Sequence, residues 1–151
     1  PIVLEEHAKE WFELEVPSKY MLLTSRVKKT KLINENKTSI AQGFEKLKIK
    51  RSEIPAVTHV DNSARVQTVD KVTNSRLYKL LSKFYEITSC PVLINTSFNV
   101  RGEPIVNTPE DAFNCFMGNK LDILVIENFF LTKEKQNKSL IKNYESNFEL
   151  D

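Results

Sequence analysis

Pro91-Val92-Leu93-Ile94-Asn95-Thr96-Ser97-Phe98-Asn99-Val100-Arg101-Gly102-Glu103-Pro104 changes character halfway along its length. It opens as a short apolar run bounded by Ser89-Cys90-Pro91, which predicts a buried strand over Pro91–Asn95. Beyond Ile94 the residues turn polar, and Gly102 and Pro104 mark a loop. Thr108-Pro109-Glu110-Asp111 then has the marks of a helix start: a hydroxyl N-cap, proline at the first helical position and acids in the first turn. Polar side chains therefore crowd past the end of a buried strand, with a helix soon after. In α/β sheets that is where ligands sit.

The side chains narrow the chemistry. Thr96 and Ser97 bring hydroxyls, Asn95 and Asn99 bring amides, and Arg101 brings a planar fork suited to phosphate or carboxylate. No His, Cys or Lys lies in the stretch, so it points to an anion clamp rather than to a nucleophile. The same composition also suits a hydrogen-bonded turn in which Arg101 pairs with Glu103.

Working outward, Asn74 can cap a helix over 75–88 whose apolar stripe is Leu77, Leu80, Leu81, Phe84 and Ile87. The helix over 109–118 buries Ala112, Phe113, Phe116 and Met117. Alternation in Ser63–Val69 predicts a strand with one polar face, where His59, Asp61, Arg65 and Gln67 are candidates to meet a ligand. Arg65 is the best of these for an oxyanion. Residues 2–14 place Val3, Leu4, Ala8, Trp11 and Phe12 on one helical face, and Tyr20–Val27 reads as a strand. Asp122–Ile126 and Phe129–Leu131 are expected to finish the sheet. Residues 28–52 form a lysine-rich insert with a weak helical pattern around 41–48, and 133–151 a polar tail.

The chain has 151 residues, the size of one domain, and 1–151 is read as such. Its net charge of +2 does not by itself call for nucleic acid. The charge is uneven: residues 1–15 carry five Glu against one Lys, whereas 26–51 carry nine Lys or Arg against two Glu. Cys90 and Cys115 sit apart in apolar segments, without metal-ligand spacing, which argues against structural zinc and fits a reducing, cytoplasmic compartment. No apolar run approaches the length that crosses a bilayer, and no signal peptide opens the sequence. The chain begins at Pro1 without an initiator methionine, as a fragment would. There is no P-loop, dinucleotide fingerprint or HExxH.

Three segments carry a resemblance: Pro1-Ile2-Val3-Leu4-Glu5-Glu6-His7, then Pro55–Asp61 running on through Arg65-Val66-Gln67, then Asn95–Val106 continuing into Thr108–Ala112. Together they resemble the carboxyl-terminal domain of NodU/CmcH-type O-carbamoyltransferases. The resemblance covers nearly the whole chain apart from the insert and the tail.

It implies a YrdC-like fold, an α/β (α+β) arrangement in which a twisted mixed sheet is flanked by helices. It implies binding of carbamoyl phosphate and of ATP with magnesium, and formation of carbamoyl-adenylate with release of phosphate and pyrophosphate. A separate amino-terminal domain, actin-like, ATPase-type and iron-bearing, would pass the carbamoyl group to a substrate hydroxyl. This chain alone is then expected to be inactive as a transferase. Position by position, Arg65, Asn95, Ser97 and Asn99 match ligand-contacting positions, Arg101 and Glu103 match the motif, and Thr96 and Arg101 are counted with the first four as substrate- and nucleotide-binding residues. Arg65 and Ser97 are the pair expected to carry catalysis, provided their strands neighbour each other. No metal ligand is expected in this chain, and neither a membrane nor nucleic acid is expected as partner. Two other classes remain open: a YrdC-like module binding RNA or a nucleotide, and a non-catalytic interaction domain. The hydroxylated acceptor would bind the other domain and is not written here.

Overall fold

The computed structural model describes residues 1–33 and 43–140. Two compact units divide the chain, Pro1–Asn95 and Thr96–Asp151.

The first unit is built on the strand β1, Ile2–Leu4. The helix expected over 2–14 is not what forms: β1 is followed by a 3-10 turn, Glu5–His7, and by the single helical turn α1, Ala8–Trp11. Ile2, Val3 and Leu4 are all buried, with Val3 at 0 % exposure. An apolar run covered on both faces is the pattern of a central strand, and three residues are too few for periodicity to reveal it.

β2 (Leu23–Arg26) is the inner half of the expected 20–27 strand, which Val27 continues as an isolated bridge to Phe12. The short helix α2 (Glu45–Lys48) covers the described end of the helical pattern expected around 41–48; residues 41 and 42 lie outside the described residues. β3 (Ser63–Val69) agrees with the alternation, and the strand order is β2-β3-β1 with β4 beyond. β3 runs parallel to β1 and antiparallel to β2.

Helix α3, Ser75–Thr88, forms as expected. Asn74 caps it by accepting from the Leu77 amide at 3.2 Å, and Ser89 ends it in the left-handed region at φ 59°. Its apolar stripe is only partly core. Leu81 is fully buried and Leu77 packs beside it, but Leu80 and Ile87 are 58 % and 73 % exposed. Tyr78 and Tyr85 take the inner face instead. β4 is shorter than expected: Val92–Leu93, antiparallel to β1, where Pro91–Asn95 was expected.

The sheet separates two cores. Val3, Ala64, Val66 and Val92 face α1, Phe12 and Ile54. Ile2, Leu4 and Val69 face Leu81 of α3 on the other side.

The second unit packs helix α4, Pro109–Gly118, against strands β5 (Ile123–Ile126) and β6 (Phe129–Thr132). Its N-terminus is a full capping box: the Thr108 hydroxyl accepts from the Asp111 amide at 3.1 Å, and the Asp111 carboxylate accepts from the Thr108 amide at 3.0 Å. β5 and β6 pair with each other as a separate two-stranded sheet, not as the end of the larger one. Their inner face supplies Leu124, Ile126 and Leu131 to a core with Phe116 and Met117. Of the tail, two 3-10 turns are seen, Lys133–Lys135 and Lys138–Leu140; residues 141–151 lie outside the described residues. Among the described residues no helix is long and apolar enough to cross a membrane.

Candidate functional site

Strand register decides which polar residues share a face. Gln67 of β3, Ile2 of β1 and Leu93 of β4 stand in one row. Period-2 alternation then puts Ser63 and Arg65 on that same face, and pairing with β2 adds Thr24 and Arg26. Helix α3 covers the end of this face around Leu4 and Val69. Thr24, Arg26 and Arg65 are exposed, and Gln67 is half-buried between the open and the covered parts.

Arg65 makes no salt bridge among the described residues. Its guanidinium lies near enough to the Pro1 amine to help lower that group's pKa, after burial, which is the larger cause. Arg26 pairs with Ser63 and Thr24 with Arg65, so the two arginines are diagonal neighbours on one face. Such neighbours stand about 7–8 Å apart. Like charges so placed favour an anion between them. Arg26 could not have been placed from sequence, because only the β2–β3 register puts it there.

Gln67 joins the site to Asn95. Its Nε2 donates to the Lys19 carbonyl at 2.9 Å, and its Oε1 accepts from Asn95 Nδ2 at 2.8 Å. Beside them a cavity of about 280 Å3 is lined by Lys19, Tyr20, Gln67, Thr73, Asn74 and Leu77. Tyr20 is 79 % exposed, an aromatic face open to stacking. Asp70 closes the turn behind Thr73 and Asn74. Its carboxylate accepts from the Val72 and Thr73 amides, each at 2.8 Å, and from the Thr73 hydroxyl, and it pairs with Lys19 at 3.3 Å. These bonds, Thr73 foremost, hold the Asp70 carboxyl below the usual range.

His59 and Asp61 do not converge on Arg65 as a reactive set. Ser63 Oγ donates to Asp61 Oδ1 at 2.7 Å, and His59 Nδ1 lies 3.0 Å from the same hydroxyl oxygen. The hydroxyl proton is already given to the carboxylate, so the histidine can only donate to Ser63. A triad needs the histidine in the middle. Here the serine is in the middle, and the bonds fix the turn that leads into β3. The Ser63 contacts also hold the Asp61 carboxyl below its ordinary value.

β3 and β4 are not neighbours: β1 lies between them. The condition attached to Arg65 and Ser97 as a pair is therefore not met by direct strand pairing. Thr96 and Ser97 are exposed in the second unit, whose loop over 98–106 closes on itself. Val106 donates to the Phe98 carbonyl at 3.0 Å, and Glu103 Oε2 accepts from the Val100 amide at 2.8 Å. Asn99 Nδ2 donates to the Val100 and Glu103 carbonyls at 3.2 and 2.9 Å. Its carbonyl oxygen is what it has left to offer a ligand. Gly102 at φ 81° makes the turn, with Arg101 exposed beside it. Cys115 is buried among these residues, and burial pushes its thiol up to about 11, so it stays protonated at neutral pH.

Residues 1–133 match the family described as Carbamoyltransferase C-terminus. The chain belongs to that family. It is 51 % identical to the uncharacterized protein sll1178 of Synechocystis sp., over 100 % of this chain and 25 % of that protein. Nodulation protein NolO of Bradyrhizobium diazoefficiens is 35 % identical over 88 % of the chain and 21 % of its own length. Nodulation protein U of Azorhizobium caulinodans is 33 % identical over 78 % and 17 %. As a member of the carbamoyltransferase C-terminal family, the chain thus spans about a quarter or less of these relatives.

Proposed function

We propose that this chain is the part of an O-carbamoyltransferase that binds carbamoyl phosphate and ATP and joins them into carbamoyl-adenylate. The observation that carries the reading is the strip Arg26–Arg65–Gln67–Asn95 on one face of the first unit, beside the cavity at Tyr20, in a member of this family.

Both substrates are phosphates, and adenylation is displacement at the α-phosphate of ATP. Such a step needs positioning and charge neutralisation more than covalent help from the protein. Water takes the phosphoryl group of carbamoyl phosphate, breaking its P–O bond and giving inorganic phosphate and carbamate. A carbamate oxygen then attacks the α-phosphorus of ATP, and pyrophosphate leaves with its bonding pair. Arg65 would hold a phosphate through its fork, with Arg26 adding charge from the neighbouring strand. Asn95 supplies an amide from the same unit; Thr96, Ser97, Asn99 and Arg101 are candidate ligand contacts carried by the second unit. The cavity at Lys19 and Tyr20 suits the nucleoside, with the phenol ring as stacking surface. Magnesium comes with ATP in this reading and neutralises its phosphates.

Transfer to a hydroxyl belongs to an actin-like amino-terminal domain of the same polypeptide, where the iron would sit. The test is pyrophosphate release from ATP by the full-length polypeptide. Release that requires carbamoyl phosphate and falls with Arg65→Ala supports the reading; release indifferent to carbamoyl phosphate refutes it.

A further inference from the structure

The Lys19–Gln67–Asn95 chain has only one possible direction. A backbone carbonyl can accept a hydrogen bond but not donate one. The Gln67 group facing the Lys19 carbonyl at 2.9 Å must therefore be its NH2. That turns Gln67 Oε1 toward Asn95, and an oxygen facing Asn95 at 2.8 Å requires the Asn95 NH2 on that side. Asn95 is thereby left with its carbonyl oxygen pointing away from Gln67. That oxygen has no partner among the described residues, and Asn95 is exposed. A side-chain amide on a surface ordinarily flips freely between its two faces. This one is set, through two bonds, by a main-chain carbonyl.

An acceptor fixed in this way selects for a donor. Arg65 lies two residues from Gln67 along β3 on the same face, about 7 Å away. The face therefore presents a cation on β3 and, from the segment after β4, a hydrogen-bond acceptor that cannot reverse its polarity. Carbamoyl phosphate carries a partner for each, a phosphate and a carbonyl bearing NH2. Acetyl phosphate has the same size and charge but offers a methyl in place of that NH2.

We propose that Gln67 is a positioning residue that locks the Asn95 amide with its oxygen outward, and that this oxygen selects the carbamoyl NH2 over an acyl methyl. The inference rests on the functional reading above and adds the origin of its substrate selectivity. A methyl group against Asn95 Oδ1 would take the oxygen from water and give nothing back, which is the costly case for a polar group. Without Gln67 the Asn95 amide turns over, presents NH2, and the distinction disappears.

Titration of the chain with carbamoyl phosphate and with acetyl phosphate, followed by NMR at millimolar ligand, tests this. The wild type is expected to bind carbamoyl phosphate at least about fivefold more tightly. Gln67→Met, which keeps the length of the side chain and removes both polar groups, should bring the two affinities to within about twofold. Asn95→Ala, at an exposed position with no packing role, should do the same and guards against misfolding of the first variant. A preference that survives in either folded variant overturns the inference. Equal wild-type binding of the two acyl phosphates overturns it as well, and leaves the functional reading standing. Failure of the wild type to bind either one overturns that reading and the inference with it.

Discussion

Asn95 and Gln67 meet side chain to side chain at 2.8 Å although 28 residues separate them and the strand β1 runs between β3 and β4. The bond ties the start of the polar stretch after β4 to the polar face of β3. Arg65 occupies the next outward position on that face. Two segments far apart in sequence thus contribute to one surface within the first unit.

Arg65 is expected to matter for ligand and little for folding. In the full-length polypeptide, under the proposed function, Arg65→Ala should remove a charge-assisted contact worth about 1.5–3 kcal/mol, or roughly ten- to a hundredfold in rate. Arg65→Lys should restore part of it, because the charge returns without the bidentate fork. Ser97→Ala should cost less, a neutral hydroxyl being about half as strong a partner. Thermal melts of all three should stay within about 0.5 kcal/mol of wild type, as befits exposed positions. An Arg65→Ala variant that unfolds while Ser97→Ala remains fully active would make the pair structural.

The two sides of α3 predict opposite results for one substitution. Leu81→Ala empties a fully buried site facing Leu4 and Val69 and should cost about 2–5 kcal/mol in chemical denaturation. Leu80→Ala, at 58 % exposure, should stay within about 0.5 kcal/mol. Equal losses would mean that the helix is rotated from the orientation described.

Thr108→Ala tests the capping box. It removes the acceptor for the Asp111 amide and frees the partner carboxylate, a loss of about 1 kcal/mol. A lowered melting temperature with an unchanged denaturant slope is the expected signature. No change in melting temperature would show that α4 does not depend on this cap.

Acid should destabilise the chain through three aspartates. Hydrogen bonds from Ser63, Thr73 and Thr108 depress the carboxyl pKa values of Asp61, Asp70 and Asp111 respectively. A folded pKa below the unfolded one, about 3.9, means stability that is present above the unfolded value and lost as pH falls through the folded one. The melting temperature should thus be level near neutrality and decline below about pH 4. Asp70→Asn should shallow that decline, since Asp70 shows the largest depression. An acid limb identical in Asp70→Asn and wild type would contradict the assignment.

Much of this architecture can be read from the sequence where local signals are complete. α3 and α4 each carry a capping side chain and a run long enough to show its period, and their bounds agree with expectation. β1 was hidden because three residues carry no period, and Val3, Leu4, Ala8, Trp11 and Phe12 imitate a helical stripe. Ile123–Ile126 and Phe129–Thr132 look like strands, but alternation does not name a strand's partner, and they pair only with each other. The same holds at the candidate site. Arg65 and Asn95 stand out by residue type, whereas Arg26 and the bond from Gln67 to Asn95 depend on register between distant segments. In Asn99 the sequence shows an amide but not that its NH2 is bonded within its own loop.

Carbamoyl phosphate titrated into the 15N-labelled chain, with Arg65→Ala beside the wild type, puts the anion site itself to the test. Saturable shifts at Arg65, Gln67 and Asn95 that vanish in the Arg65→Ala chain are the predicted result. No saturable shift at these residues, or the same shifts in the variant, would contradict the account.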